Sequence, residues 1–166
     1  MEIRVADLDD AEAVAAFQVR AWEQTYRGLV PDAFLDAARS RDRRARWAGR
    51  IRRGERRVVL VRARDVVVGV SSTARSAEPG LPATELCTLY LDATVQGTGV
   101  SDQLLETALG RAAAHLLVFS VNERAKRFYA RHGFAPQGAP QVDPGTGLDE
   151  ERWVRGGSGA VRSVPA

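Results

Sequence analysis

The segment from Glu85 to Gly99 restricts the fold more than any other part of the chain. Glu85-Leu-Cys-Thr-Leu-Tyr-Leu91 has the character of a strand, with Leu86, Thr88 and Tyr90 expected on one face and Glu85, Cys87, Leu89 and Leu91 on the other. Gln96-Gly-Thr-Gly99 then turns the chain. Leu104, Leu105, Ala108 and Ala112 recur at helical spacing from about Val100 to Ala114. A second strand, Leu116 to Val121, follows that helix. The next helix turns Ala125, Phe128 and Tyr129 inward, with Asn122 or Ser120 as its cap and Gly133 as its end. Strands joined by crossover helices build a sheet with helices packed on it, an α/β or α+β layered domain.

The remaining segments supply further strands and helices. Ile3-Arg4-Val5 reads as a first strand. Asp7 to Asp10 offers N-cap oxygens for a helix from about Ala11 to Arg20, with Val14, Phe17 and Ala21 inward. Gly28 and Pro31 break the chain, and Pro31 suits the first turn of a short helix carrying Phe34 and Leu35. Trp47 and Ile51, four apart, give one apolar stripe to a helix ending near Gly54. Val58 to Val61 and Val66 to Thr73 form a hairpin turning at Arg64-Asp65. Pro79-Gly80 and Pro82 mark a loop, and a last strand is expected near Glu151 to Val154. At 166 residues the chain fits one domain, expected over 1–155. The tail 156–166, GGSGAVRSVPA, is too small and polar to pack and is expected to be disordered.

Composition excludes several classes. One cysteine, Cys87, rules out an intrachain disulfide and an all-cysteine zinc site. Two histidines, His115 and His132, leave little for a histidine-rich metal centre, so no metal is expected. No run approaches the ~20 apolar residues of a membrane span. The start, MEIRVADLDD, lacks the basic-then-apolar form of a signal peptide, so a cytoplasmic protein is expected. Net charge is +3, but residues 39–57 hold ten arginines against Asp42 and Glu55. That block raises a nucleic-acid-binding module as one reading. Zinc-finger, leucine-zipper and RNA-sheet signatures are absent, and the block carries its own apolar stripe. A solvated helix face is the better reading.

The glycine turn is a candidate phosphate site. Glycines let successive N–H groups point into one concavity, and the helix start adds free N–H groups and partial positive charge. GxG alone is weak evidence. The Walker form GxxxxGK[ST] is absent, and GxGxxG would need glycine where Asp102 stands.

Taken together, ELCTLYL at 85–91, QGTG at 96–99 and Asn122-x-x-Ala125-x-x-Phe128-Tyr129-x-x-x-Gly133-Phe134 resemble the GNAT N-acetyltransferase superfamily. Ala21-Trp22, Thr25-Tyr-Arg-Gly-Leu29 and Pro31 are similar to a branch of small, uncharacterised bacterial-type acetyltransferases. The resemblance implies a three-layer fold. A mixed, strongly twisted central sheet has splayed parallel strands and helices on both faces. It also implies acetyl-CoA as acyl donor. Gln96, Gly97, Thr98, Gly99, Val100 and Ser101 would hold the diphosphate. Leu89, Tyr90 and Leu91 would meet the pantetheine arm or polarise the acetyl carbonyl through backbone N–H groups. Asn122 and Phe128 would also contact the coenzyme. Ser101 departs from the usual glycine or alanine and Ala93 from proline. The region from Ala108 to Val118 is several residues shorter than usual.

The same resemblance implies chemical roles. Tyr129 is the candidate general acid for the leaving thiolate. Glu85 is the candidate general base, acting directly or through water. Cys87 reads better as a small buried side chain than as an acyl carrier. His115 and His132 read as structural. Trp22, Tyr26 and Arg27 are expected to wall an acceptor pocket, where the arginine could hold a carboxylate. The preferred function is direct acetyl transfer to a primary amine of a small molecule. A protein or peptide acceptor and a non-catalytic acyl-CoA-binding relative are the alternatives. No membrane partner is expected, and a homodimer is left open.

Overall fold

The structure, a computed structural model, describes residues 1–33 and 41–157, and of 41–44 the backbone only. The expected helix through Phe34 and Leu35 and the tail from 158 lie outside the described residues. In chain order come β1 (Glu2–Val5), α1 (Ala11–Tyr26), α2 (Arg41–Arg52), β2 (Arg57–Ala63), β3 (Val66–Arg75) and β4 (Thr84–Leu91). A 3₁₀ turn (Ala93–Val95), α3 (Val100–Leu109), β5 (Ala114–Phe119), α4 (Glu123–Arg131), β6 (Ala135–Pro136), β7 (Gln141–Val142) and β8 (Asp149–Arg155) follow.

One mixed sheet runs β1-β2-β3-β4-β5-β8-β6, with β7 also on β8. Every pairing is antiparallel except β4 with β5, where α3 carries the chain back across the sheet. Period-2 alternation on β2 sets the layers. Val58 and Leu60 pack with Val14, Phe17, Ala21 and Trp47 of α1 and α2. Val59 and Val61 pack with Val95, Val100 and Leu104 on the opposite face. Leu105, Leu116, Val118, Tyr129, Phe134 and Trp153 continue that second layer under α3 and α4. This is the expected three-layer arrangement, and Trp47 and Ile51 do tether the arginine-rich helix to the core.

Four local readings change. α1 continues past Arg20 to Tyr26, because nothing breaks it before Gly28 at φ 81°. Asp10 begins α1 without capping it. Its carboxylate instead binds Arg4 at 2.5 and 2.9 Å and Arg62 at 3.0 Å, and accepts from the Asp7 N–H at 2.9 Å.

α3 stops at Leu109 instead of Ala114, and His115 lies within β5 instead of beside a helix end. Gly110 takes φ 52° and four residues suffice to reach β5. Orphan carbonyls at this helix end need donors. Arg57 donates to the carbonyls of Thr107 and Ala108 at 3.3 and 3.1 Å, and Arg155 to those of Gly110 and Ala112 at 2.9 Å each.

β4 also breaks its simple alternation. Thr88 pairs with Ser72 and Leu86 with Thr73, leaving Cys87 as the extra residue of a bulge. Leu86 therefore shares the α3/α4 face with Leu89 and Leu91, while Thr88 and Tyr90 face α1.

Candidate active site

β4 and β5 pair at Glu85 and His115 and nowhere beyond. From Leu86 onward the two parallel strands part, and a cleft of about 640 Å³ opens between them. Leu86 to Leu91 line one wall. Leu117, Val118, Asn122, Arg124, Ala125, Phe128 and Tyr129 line the other. Tyr26, 8% exposed, closes one side with its ring edge-on to Tyr90 of β4 at 6.4 Å and to Phe119 of β5 at 5.3 Å.

The glycine turn stands at the mouth. Gly97 and Gly99 have φ of 76° and 82°, and a Cβ at either would meet nothing within 4 Å. Glycine is required there by backbone conformation, with open space in front of it. Side chains brace the turn. Asp92 accepts from the Thr94 N–H and hydroxyl at 3.0 and 2.7 Å, which holds its carboxyl below the usual range. Thr98 donates to the Val95 carbonyl at 2.6 Å. The Gln96 amide donates to the Leu91 carbonyl at 3.1 Å and accepts from Arg124 at 2.5 Å. Beyond Gly99, the first N–H groups of α3 have no intrahelical partner. Asp102 lines the cleft at this point, and His132 bonds its carboxylate at 2.8 Å, tying α3 to the end of α4.

Tyr129, 8% exposed, lines the interior of the cleft and packs on Phe128 and Phe134 at 5.4 and 5.7 Å. Burial, with Tyr26 nearby, pushes its phenol far above the ordinary tyrosine range. Such a group is protonated at any ordinary pH, which fits a proton donor. Burial also raises Tyr26, against hydrogen bonding with Tyr90 and Asn122. Asn122 caps α4, accepting from the Ala125 N–H at 3.1 Å, and still lines the cleft.

The structure thus gathers Leu89, Tyr90, Leu91, Gln96, Gly97, Gly99, Ser101, Asn122, Phe128, Tyr129 and Tyr26 around one cleft. Thr98 turns to Val95, and Val100 is buried against the core, so neither lines it. Glu85 sits at the vertex where the strands still pair, outside the lining. Trp22 packs on Tyr26 at 5.1 Å, outside the cleft. Arg27 is also outside, bound to Glu23 and, at 3.5 Å, to Asp32. Gln24, Thr25 and Leu29 line the cleft in their place, and Arg124 and Arg131 add positive charge. The two arginines are seven apart on α4, two helical turns, a spacing readable in the sequence. The stretch from Ala108 to Val118 runs from the end of α3 into β5; residues 110–113 do not line the cleft, whereas Leu117 and Val118 do.

Among the described residues no cluster of three or more His, Cys, Asp or Glu could hold a metal ion. No described helix is long and apolar enough to cross a membrane. Curated proteins give no match to the sequence. Among solved structures the fold is similar to PaiA N-acetyltransferase from Thermoplasma acidophilum in complex with coenzyme A. That likeness has 18% identity, covers 92% of this chain and 98% of that one, and has a TM-score of 0.70. YncA from Salmonella typhimurium with its cofactor acetyl-CoA gives 22%, 100%, 98% and 0.69. Ribosomal-protein-alanine N-acetyltransferase from Brucella melitensis gives 22%, 93%, 99% and 0.67. The family model of the acetyltransferase (GNAT) domain matches residues 22–148, a span holding the bulged strand, the glycine turn and α4. The chain belongs to the GNAT acetyltransferase family.

Proposed function

We propose that the chain, over residues 1–155, moves an acetyl group from acetyl-CoA to the primary amine of a small molecule bound beside it. The cleft between β4 and β5, with a braced glycine turn at its mouth and a buried tyrosine inside, carries this reading. Bound acetyl-CoA would supply a thioester, whose carbonyl carbon accepts the amine nitrogen as the sulfur leaves with the bonding electrons.

The chain's residues divide the rest of the work. Backbone N–H groups from Gly97 to Ser101 and the start of α3 bind the diphosphate, and Arg124 and Arg131 add cationic charge at the cleft. The open edge of β4 near Leu89 to Leu91 offers N–H groups to the pantetheine arm and acetyl carbonyl. Tyr129 gives its proton to the departing sulfur. Glu85 lies outside the lining, so the amine proton reaches it through water. Cys87 belongs to the bulge, and burial pushes its thiol above the ordinary cysteine range, which argues against an acyl-cysteine step.

Thermal stabilisation by acetyl-CoA and thiol release on adding amines test the reading. Initial rates should intersect on double-reciprocal plots, and Cys87→Ala should keep turning over. Parallel plots with a dead Cys87→Ala would refute direct transfer. Stabilisation without thiol release across a broad amine panel would leave a coenzyme-binding relative.

A further inference from the structure

Trp47, 6% exposed, carries two guanidinium groups over its ring. Arg50 of α2 stands 5.7 Å from the ring centroid and Arg56, just before β2, 5.6 Å. Two like charges on one ring repel in a half-buried setting. Among the described residues neither has a carboxylate at ion-pair distance. The neighbouring Glu55 is bound by Arg53 at 2.5 Å and reaches Arg50 and Arg56 only through its longer-range charge. Arg52, Arg53 and Arg57 are exposed and need no compensation, whereas Arg50 and Arg56 are half-buried. Arg56 donates to Ser72 Oγ at 3.4 Å, and Ser72 bonds Thr88 Oγ1 at 2.6 Å. Thr88 and Cys87 line the cleft, and the charge of both arginines reaches the Cys87 thiol. Neither arginine lines the cleft itself; Arg56 reaches its wall through Ser72 and Thr88, beside the bulge. The arginines that do line the cleft, Arg124 and Arg131, are on α4.

We propose that Arg50 and Arg56 form an anion site for the acceptor, so that the amine acetylated here also carries a carboxylate. This rests on the N-acetyltransferase reading. Two guanidinium groups held at one indole bring two cationic donors close together, and the charge of a carboxylate would relieve their mutual repulsion.

Primary amines of one skeleton, ending in carboxylate, carboxamide or ammonium, test it by thiol release from acetyl-CoA. We expect kcat/KM for the carboxylate to exceed the carboxamide by at least about tenfold, the size of one charge-assisted hydrogen bond, mainly through KM. The ammonium compound should be poorest. In Arg50→Gln and Arg56→Gln the carboxylate-to-carboxamide ratio should fall toward one, and Arg50→Lys and Arg56→Lys should restore part of it. The lysine forms keep charge and stem where a glutamine form fails to fold. Equal or better use of the carboxamide, or a ratio that persists in both glutamine variants, overturns the site.

Calorimetric titration of the carboxylate amine into protein loaded with coenzyme A separates the two readings. Binding that the glutamine variants lose, with no turnover of any amine, would leave the anion site standing and remove the acetyltransferase reading. No binding and no carboxylate preference would remove the site.

Discussion

Replacing Tyr129 by phenylalanine removes one oxygen from the interior of the cleft and little else. The ring keeps its contacts with Phe128 and Phe134 at 5.4 and 5.7 Å, and it supplies most of the buried area. Folding stability should therefore change by no more than about 1 kcal/mol. Turnover should change far more. A positioned general acid contributes roughly 10²- to 10⁴-fold, or about 3–5 kcal/mol of barrier. A thiolate tolerates leaving without a proton better than an alkoxide, so the lower figure, about 100-fold in kcat, is expected. Burial fixes the pH behaviour. With its phenol held far above the ordinary value of about 10, Tyr129 stays protonated from pH 6 to 9. The deficit should thus be constant across that range. Continuous thiol detection at saturating acetyl-CoA and amine measures it, and KM for acetyl-CoA should stay within about threefold. A folded Tyr129→Phe protein with kcat within about threefold of the parent from pH 6 to 9 would refute the argument. Tyr129 would then be a core aromatic.

Other perturbations address the frame around the cleft. Asp10, 3% exposed, has its carboxyl held below the usual range by Arg4 first, with Arg62 and the Asp7 N–H helping. Its stabilisation is full above the unfolded value near 4 and is lost as pH falls through the lower folded value. Asp10→Asn should cost about 2–3 kcal/mol at pH 7 by urea melts and flatten the acid limb. Gly99→Ala forces a Cβ onto φ 82° and should weaken coenzyme binding, measured by calorimetry, as well as costing about 1 kcal/mol in stability. Arg155→Ala uncaps the carbonyls of Gly110 and Ala112 and removes a cation from 4.9 Å over the Phe134 ring. It should lower stability by about 1–2 kcal/mol while coenzyme affinity holds, because the far end of α3 does not line the cleft.

Much of the site was legible because short-range rules govern its parts. Gln96-Gly-Thr-Gly99 announces positive φ before a helix, and both glycines adopt it. Ser120 and Asn122 both offer a cap to α4, and Asn122 takes the role, accepting from the Ala125 N–H. Tyr129 was found by resemblance alone, since one aromatic on an apolar face looks like core. Glu85 shows the opposite case. Its place at the start of a strand is readable, but whether a strand's first residue lines a cleft depends on where its neighbour departs.

The sequence by itself determined the order of the longer strands and helices, the glycine turn and the tethering of the arginine helix by Trp47 and Ile51. Each follows from residue type and spacing within a few turns of chain. It determined neither the short strands β6 and β7 nor the choice of Asn122 over Ser120 as the α4 cap. Tertiary structure decided what those rules do not reach. The bulge at Cys87 depends on register with β3 and sets which side chains of β4 face the α3 and α4 layer. The seam opens after Glu85 and His115 while the other edge of β5 stays paired with β8 from Ala114 to Phe119, a strand distant in the chain. Arg50 and Arg56 are ordinary members of a basic run until the fold brings both to one indole, with Arg56 bonded to Ser72. What surrounds a charge is set by partners from distant segments, which spacing along the chain does not reveal.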